Sequence, residues 1–205
     1  MIALSIRQPY AGALVAGWKD TENRTRMLSL RGRHQVANAV VAVRVLEQLE
    51  VPASAIEAAL TKTWWSGRLE LLRISDTRSV LLDAAHNVAA AKALGLYLAE
   101  VFPEGVPLVL AAMRDKDVAG FVHMLEPRIT RIICTSLRSH RAWPGEGLAE
   151  IVMAACPALP CSVADSPSSA LDEGWEDGSV VCAAGSVYLV GELLDLVGSR
   201  TRKEQ

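Results

Sequence analysis

The sequence is poor in the features that mark extracellular and metal-binding proteins. Its 205 residues include only four cysteines, and no two of them form a CxxC pair. Cys156 and Cys161 bracket a Pro-Ala-Leu-Pro turn, but no histidine lies near them in sequence, so we expect no metal site in the chain. Scattered thiols without disulfide spacing are typical of reduced, cytoplasmic proteins.

Long apolar runs are also missing. No stretch reaches the roughly 20 apolar residues that are needed to span a bilayer. Met1–Gly17 contains Arg7, Gln8 and Pro9 where the apolar core of a signal peptide would run. The sequence therefore predicts a cytoplasmic protein with no membrane segment.

The sequence has no large excess of charge of one sign, and it has few aromatic side chains. The chain carries 21 basic and 23 acidic residues, a formal net charge of −2, and aromatic residues make up 5% of it. A nucleic-acid surface needs clustered Lys and Arg with aromatic side chains among them, whereas these basic residues are scattered. Nucleic acid is therefore not expected as a partner.

Apolar residues are plentiful, at 51% of the chain, and in residues 34–50 they follow helical spacing. The apolar stripe of this predicted helix consists of Val36, Val40, Val43 and Leu46. We expect this stripe to lie exposed when the chain is taken alone. Ser54 is positioned to cap a second helix that ends near Lys62.

From residue 69 onwards, short apolar strands alternate with helices. Strands are predicted at 69–74, 80–83, 106–112, 131–135, 162–164 and 180–183, and helices at 87–102, 117–125, 147–155, 168–174 and 187–197. The run Val106–Ala112 is continuously apolar, which is typical of a strand buried on both faces. The alternation predicts an α/β fold, a doubly wound and mostly parallel sheet flanked by helices, preceded by a short helical segment.

Ligands of an open α/β sheet bind outside the carboxyl ends of the strands, so residues just after the strands are the candidates. In Leu82–Asn87, Asp83 can accept hydrogen bonds from ribose hydroxyls, and His86 can reach a phosphate or a base. The spacing alone favours a plainer interpretation, in which Asp83 or Asn87 caps the following helix.

Three further segments qualify on the same ground. Ala112–Asp117 places Arg114, Asp115 and Lys116 after a buried strand, which suits a zwitterion or an anion, although a solvated loop capped by Asp117 is equally compatible. Ala184–Tyr188 is a glycine turn that contains Ser186 at the start of a helix, where amides favour anions, although a plain β-α turn needs glycine too.

The last segment, Gly67–Glu70, forms a connector after Trp64 and Trp65, which we interpret as packing residues. Arg68 in this connector can contact a nucleotide held by a partner domain, with a surface ion pair as the alternative. The remaining histidines, His34, His123 and His140, are interpreted as structural.

Five segments together resemble the dihydrofolate synthase/folylpolyglutamate synthase family, a branch of the Mur ligase superfamily. They occur in the family's order over about 165 residues. Gly32–Ala39 resembles its G-x-H-Q-x-x-N-A, Trp65–Glu70 its W-x-G-R-x-E, Leu82–Asn87 its L-D-G-A-H-N with Ala84 for glycine, Met113–Asp117 its M-x-D-K-D, and Gly185–Glu192 its G-S-L-Y-L-x-G-E.

The resemblance implies a C-terminal domain of the Mur ligase type and an amide-forming reaction driven by ATP and Mg²⁺. In that reaction glutamate is joined to a pteroate or folate through an acyl phosphate. The resemblance implies ATP contacts by Asn38, Arg68 and Asp83, with His86 and Ser186 as further candidates. It places the loop of Arg114, Asp115 and Lys116 near the incoming glutamate.

One departure limits this expectation, because no G-x-x-x-x-G-K-[ST] phosphate loop occurs in the 205 residues. In the family the phosphate loop, the metal ligands and most of the pteroate site belong to the N-terminal domain. We therefore assign no catalytic residue and expect the chain to be catalytically incomplete alone. The alternative is a nucleotide- or partner-binding module that acts with a separate chain carrying a phosphate loop.

The start of the chain resembles a different family. Leu4–Ala11 and Gly17–Arg24 are similar to the opening of an ASCH domain, a small β-barrel associated with RNA, which gives an RNA-associated module as the least favoured reading. The predicted domains are an ASCH-like fragment at 1–27, a helical remnant of the ligase ATPase domain at 28–63, a Rossmann-like Mur ligase C-terminal domain at 64–198 and a frayed tail at 199–205.

Overall fold

The computed structural model describes residues 32–62 and 65–201, which fall into two compact units that divide between Trp65 and Ser66. The ASCH-like segment and Trp64 lie outside the described residues, so the predictions made for them stay predictions. None of the helices within these ranges is both long and apolar enough to cross a bilayer.

The described part of the first unit contains two helices, α1 (Arg33–Gln48) and α2 (Ala53–Lys62). Val43 of α1 and Ile56 of α2 are fully buried against each other's helix. The predicted apolar stripe of α1 therefore packs within this unit, and the expectation that it lies exposed is wrong. The exposed apolar side chains of α1 and its end are instead Val41, Val45 and Leu49.

The helix α2 begins two residues earlier than a cap at Ser54 predicts. Its first turn forms on the carbonyl of Pro52, which accepts hydrogen bonds from the amides of Ala55 and Ile56. Ser54 lies inside the helix, so the prediction that it caps α2 is wrong. Proline fixes its own backbone in a conformation suited to starting a helix, which accounts for the earlier start.

The second unit is built on one six-stranded sheet with the order β1-β2-β6-β3-β4-β5. Its strands are β1 (Glu70–Arg73), β2 (Ser79–Leu82), β3 (Val106–Leu110), β4 (Ile129–Thr135), β5 (Cys161–Ala164) and β6 (Val180–Ala184). β1 and β2 form an antiparallel hairpin, and every other neighbouring pair is parallel. The predicted doubly wound, mostly parallel sheet is confirmed.

Five helices cover the two faces of the sheet. They are α3 (Val88–Val101), α4 (Val118–Leu125), α5 (Gly145–Ala155), α6 (Pro167–Gly174) and α7 (Val187–Thr201). Residues of α3, α4 and α5 share one apolar cluster, and residues of α6 and α7 share the other. Leu108 and Leu110 of β3 point into the first cluster and Val109 into the second, as the alternation of a strand dictates. This explains why β3 is apolar throughout.

The helix starts that matter for the site are capped as the sequence predicts. The Asn87 side chain accepts a hydrogen bond from the Ala90 amide at the start of α3, and Asp117 accepts one from the Gly120 amide at the start of α4. These caps satisfy amides that the first helical turn leaves without partners.

The order of the strands creates a switch point between β3 and β6. The chain leaves β3 towards α4 on one face of the sheet, whereas it leaves β6 towards α7 on the other face. The loops that follow these two neighbouring strands therefore diverge and leave a crevice at the carboxyl edge of the sheet.

Candidate functional site

The connector that carries Arg68 is bound to the end of β2. The carbonyl of Gly67 accepts a hydrogen bond from the Ala84 amide at 2.8 Å, and the Leu69 amide donates to Oδ2 of Asp83 at 2.9 Å. Gly67 and Leu69 both adopt a positive φ, at 71° and 49°, so the connector is sharply bent. Two segments that are 14 residues apart in sequence thus form one structural piece.

Asp83 is buried, and its carboxylate holds this piece together. Oδ2 accepts the Leu69 amide, and Oδ1 accepts the Ala85 amide at 2.9 Å. Glu70 adds a similar bond, because its buried carboxylate accepts the Gly67 amide at 2.6 Å. In this structure both acids fix the backbone on either side of Arg68.

The turn after β6 approaches the same place. The Gly185 amide donates to the Ala85 carbonyl at 2.8 Å. Gly185 has a φ of 105°, and a Cβ at this position would lie 2.5 Å from the Ala111 carbonyl oxygen. Only glycine permits this approach of the β6 turn to the end of β3.

Ser186, the next residue, is buried and acts as the N-terminal cap of α7. Its hydroxyl oxygen accepts a hydrogen bond from the Tyr188 amide at 3.1 Å. The backbone of this turn and the start of α7 are therefore held in place by groups of the chain itself.

A shallow, open pocket lies between these turns. His86, Lys116, Asp117 and Gly185 supply its polar side, and the apolar lining consists of Leu110, Ala112, Val118 and Phe121. Nδ1 of His86 lies 2.9 Å from the Ala84 carbonyl oxygen, which can only accept, so this nitrogen carries the proton. The other ring nitrogen has no hydrogen-bond partner among the residues that the structure describes.

The loop after β3 places charges at the mouth of the pocket. Lys116 Nζ pairs with Asp115 at 2.9 Å, and this hydrogen bond lowers the pKa of Asp115 below its usual value. The Arg114 guanidinium lies over the ring of Trp143, 4.8 Å from its centroid, in a cation–π contact. The loop thus presents two cations and one carboxylate in a defined arrangement.

Sequence reasoning missed the loop that supports these charges, residues 136–144 after β4. The Arg114 amide donates to the Arg141 carbonyl at 2.8 Å, and the Trp143 amide donates to the Ala112 carbonyl at 2.9 Å. Arg141 also lies 4.0 Å from Asp115. The sequence did offer a signal for this loop: a predicted strand is followed within nine residues by two arginines, a histidine and a tryptophan.

The remaining predicted residues lie apart from the pocket. Arg68 is exposed on the connector, and its guanidinium has no hydrogen bond or ion pair to the residues that the structure describes. Asn38 belongs to the first unit, is exposed on α1, and lies 3.5 Å from the Gln35 side chain. His86, Lys116 and the Gly185 turn thus line one pocket. The Arg68 connector is hydrogen-bonded to the end of β2.

The fold defines a doubly wound α/β domain with a crevice at its switch point, which is where ligands of such folds bind. A family model described as Mur ligase, glutamate ligase domain, matches residues 67–187, which is more than half of the chain. The chain therefore belongs to the Mur ligase family, and the matched residues are its glutamate ligase domain.

The relatives within this family are folate-glutamate ligases. The chain is 38% identical over 130 residues to the dihydrofolate synthase/folylpolyglutamate synthase of Mycobacterium tuberculosis, covering 60% of the chain and 26% of that protein. It is 29% identical over 175 residues to the Escherichia coli protein of the same name, covering 84% of the chain and 40% of that protein. The chain thus spans less than half of the length of these relatives.

A solved structure agrees with the assignment. Folylpolyglutamate synthase of Mycobacterium tuberculosis, complexed with ADP and AMPPCP, matches with a TM-score of 0.76 at 30% identity. The match covers 84% of this chain and 42% of that one. The family resemblance and the fold class predicted from the sequence are therefore both confirmed.

Proposed function

We propose that these residues serve as the C-terminal domain of an ATP-dependent folate-glutamate ligase of the dihydrofolate synthase/folylpolyglutamate synthase type. In this reaction a carboxylate oxygen of the pteroate or folate attacks the γ-phosphorus of ATP, and ADP leaves. The amine of glutamate then attacks the acyl phosphate, the C–N bond forms, and inorganic phosphate leaves with the loss of an amine proton. The domain would close over the nucleotide and present glutamate.

The convergence of the four segments carries this proposal. Hydrogen bonds join the Gly67–Glu70 connector, the end of β2 and the Gly185 turn, and the pocket beside them includes the Lys116 loop. The matched relatives are named as ligases of this type, and one of them is complexed with ADP and AMPPCP. Surface loops without a function would not require four segments that are separate in sequence to lie together in this way.

We assign the nucleotide site of this domain to Arg68, Asp83, His86 and Ser186, whereas Asn38, which belongs to the first unit, stays a predicted ATP contact. Arg68 is the strongest of them, because its guanidinium is exposed and the backbone on both sides of it is fixed. His86 offers its free ring nitrogen to the pocket. Asp83 and Ser186 are buried, so their main part would be to position the connector and the start of α7 against the nucleotide.

The loop of Arg114, Asp115 and Lys116 is assigned to glutamate. Glutamate carries an ammonium and two carboxylates, and the loop offers a carboxylate and two cations. The contact of Arg114 with Trp143 and the pair of Lys116 with Asp115 hold these groups before a ligand arrives. Such prior ordering reduces the entropic cost of binding.

The carboxylates of this crevice already have partners within the chain. Those of Asp83 and Asp117 accept backbone amides, and that of Asp115 pairs with Lys116. Mg²⁺ needs carboxylate or phosphate oxygens that are free to enter its octahedral shell. We therefore assign the metal ligands and the phosphate loop to a module outside the 205 residues, on the same or a separate polypeptide, and expect no turnover by this chain alone.

The test is a calorimetric titration of the chain with Mg-ATP, using Arg68→Ala and the matched control Arg73→Ala. Arg73 is an exposed arginine at the other end of β1, away from the crevice. A hydrogen bond from arginine to phosphate is worth about 1.5–3 kcal/mol, so Arg68→Ala should weaken binding by roughly tenfold or more. Arg73→Ala should bind as the unchanged chain does.

Two results would contradict the proposal. Equal affinities of the Arg68→Ala and Arg73→Ala variants would remove Arg68 from the nucleotide site. ADP release by the chain alone, in the presence of dihydropteroate or folate and glutamate, would show that it holds its own phosphate-binding machinery.

A further inference from the structure

Three side chains with metal-binding atoms meet at the end of α4. Nδ1 of His123 lies 3.4 Å from Sγ of Cys156 and 3.7 Å from Oε2 of Glu126. The imidazole, carboxylate and thiol ligand atoms all lie within 4.8 Å of one another. This combination is distinct from the crevice and is used by nothing in the proposed reaction.

Regular backbone geometry holds the three residues in place. His123 and Glu126 are three residues apart at the end of α4, so their side chains lie on one face of the helix. Cys156 follows the last residue of α5, and its amide donates to the Val152 carbonyl at 2.8 Å. Because α4 and α5 pack side by side, the position of Cys156 relative to His123 is fixed by the core.

The separations fit a single tetrahedral ion. Zinc binds nitrogen and oxygen at about 2.0–2.2 Å and sulfur at about 2.3 Å, so ligands of one tetrahedral zinc are about 3.3–3.6 Å apart. The two separations from His123 are already close to this range. The remaining pair is the Glu126 carboxylate and the Cys156 thiol. A change in the side-chain conformation of Glu126, which is partly exposed, would bring these two groups to the same separation.

The electrostatic setting also favours a cation. Glu126 and Cys156 are the C-terminal cap residues of α4 and α5, so the negative ends of two helix dipoles face the cluster. On binding a dication, the Cys156 thiol would release its proton to solvent.

We propose that His123, Glu126 and Cys156 form a binding site for a divalent transition metal of the zinc class, with water as a fourth ligand. The mixed nitrogen, oxygen and sulfur set suits zinc and excludes a preference for Mg²⁺ or Ca²⁺, which take oxygen ligands. Each helix of a β-α-β unit runs antiparallel to the strands, so the ends of α4 and α5 lie at the edge of the sheet opposite the crevice. The ion would clamp these two helices and would take no part in catalysis.

The test is a titration of the untagged chain with Co²⁺, a spectroscopic substitute for zinc, followed by displacement with Zn²⁺. We expect one ion per chain and a thiolate-to-cobalt charge-transfer band. His123→Ala should weaken binding by at least about tenfold, since even loss of a metal's outer-shell partner costs 10- to 100-fold. Cys156→Ser should abolish the charge-transfer band.

Matched controls separate this site from chance binding and from misfolding. His140→Ala removes another exposed histidine, and Cys161→Ser removes a thiol outside the cluster, so both variants should bind cobalt as the unchanged chain does. His123 is itself exposed, so His123→Ala is expected to keep its fold, which far-ultraviolet circular dichroism checks.

Three outcomes would overturn the proposal. The first is equal cobalt affinity of the His123→Ala and His140→Ala variants. The second is the absence of a charge-transfer band in the folded chain. The third is a band lost in Cys161→Ser but kept in Cys156→Ser, which would assign the ion to the Cys134 and Cys161 pair. None of these outcomes depends on nucleotide binding, so the two proposals fail independently.

Discussion

Asp83 shows how a side chain beside a candidate ligand site can be used to hold the surrounding backbone in place. The sequence offers two roles for it, a contact to ribose or a helix cap, and the structure shows a third arrangement. Asn87 caps α3, whereas Asp83 binds the amides of Leu69 and Ala85. The Arg68 connector is thus held in place by a buried carboxylate that accepts hydrogen bonds on both oxygens.

Replacing Asp83 by asparagine should therefore destabilise the fold. The asparagine oxygen can accept one of the two amides, but its NH₂ group would face the other amide, donor against donor. A buried donor left without a partner costs about 1–3 kcal/mol. Urea denaturation should show a loss of this size for Asp83→Asn.

Asp117→Asn is the matched control for this substitution. Asp117 caps α4 by accepting the Gly120 amide, and asparagine caps a helix as well as aspartate does. This variant should change the free energy of unfolding by less than about 0.5 kcal/mol. An unchanged stability in Asp83→Asn would contradict the role given to Asp83.

The four cysteines differ in their expected reactivity. Cys161 is partly exposed, and its pKa is lowered by a hydrogen bond from Cys134 and by the charge of Arg131. Burial raises the pKa of the Cys182 and Cys156 thiols, and the contact with Cys161 raises that of Cys134. Since the thiolate is the reactive form, Cys161 should react first with iodoacetamide in the native protein.

Peptide mapping by mass spectrometry after short labelling checks this order. Cys161 should carry most of the label in the folded chain, whereas all four cysteines should be labelled in denaturant. Cys161→Ser should remove the fast phase of the reaction. Faster labelling of Cys182 than of Cys161 would show that the core of the sheet is open to solvent.

At the scale of the elements, the turn from β6 to α7 depends on one glycine. A Cβ on Gly185 would meet the Ala111 carbonyl at 2.5 Å and the Leu110 side chain at 2.7 Å, in a backbone conformation that L-residues rarely adopt. Strain and overpacking together should cost about 2–4 kcal/mol in Gly185→Ala. Thermal or urea denaturation measures this loss.

The same substitution at Gly191 is a matched control within the helix that follows. A Cβ there would have no neighbour within 4 Å, and Gly191 is exposed in the interior of α7. Alanine is the better helix former by about 0.5–1 kcal/mol, so Gly191→Ala should stabilise the chain. A Gly185→Ala variant as stable as this control would contradict the close approach of β6 to β3.

The elements themselves could largely be predicted from the sequence, because their signals are local. The apolar run at Val106–Ala112 and the caps at Asn87 and Asp117 were sufficient for β3, α3 and α4. The start of α2 was missed because Pro52, rather than the hydroxyl of Ser54, begins its first turn. The apolar stripe of α1 was wrongly predicted to be exposed, because the burial of Val43 depends on Ile56, a residue of another helix.

At the scale of the whole molecule, sequence order does not reveal which distant residues meet. His86, Lys116 and Ser186 were predicted because each follows a strand, whereas Arg68 lies in the connector before β1. The loop of residues 136–144 was not predicted, since its role is to support Arg114 from the neighbouring strand β4. His123 and Cys156 are 33 residues apart, so a search for closely spaced ligands could not have joined them.

The central claim is that the crevice at the carboxyl edge of the sheet is the nucleotide site of this domain. The most direct test is a titration of the isotopically labelled chain with Mg-ADP, followed by amide nuclear magnetic resonance. We predict shifts that rise with concentration at the amides of residues 67–69, 84–87, 114–117 and 185–188, and that are weakened in Arg68→Ala. Shifts confined to the opposite edge of the sheet, or none at millimolar nucleotide, would contradict the claim.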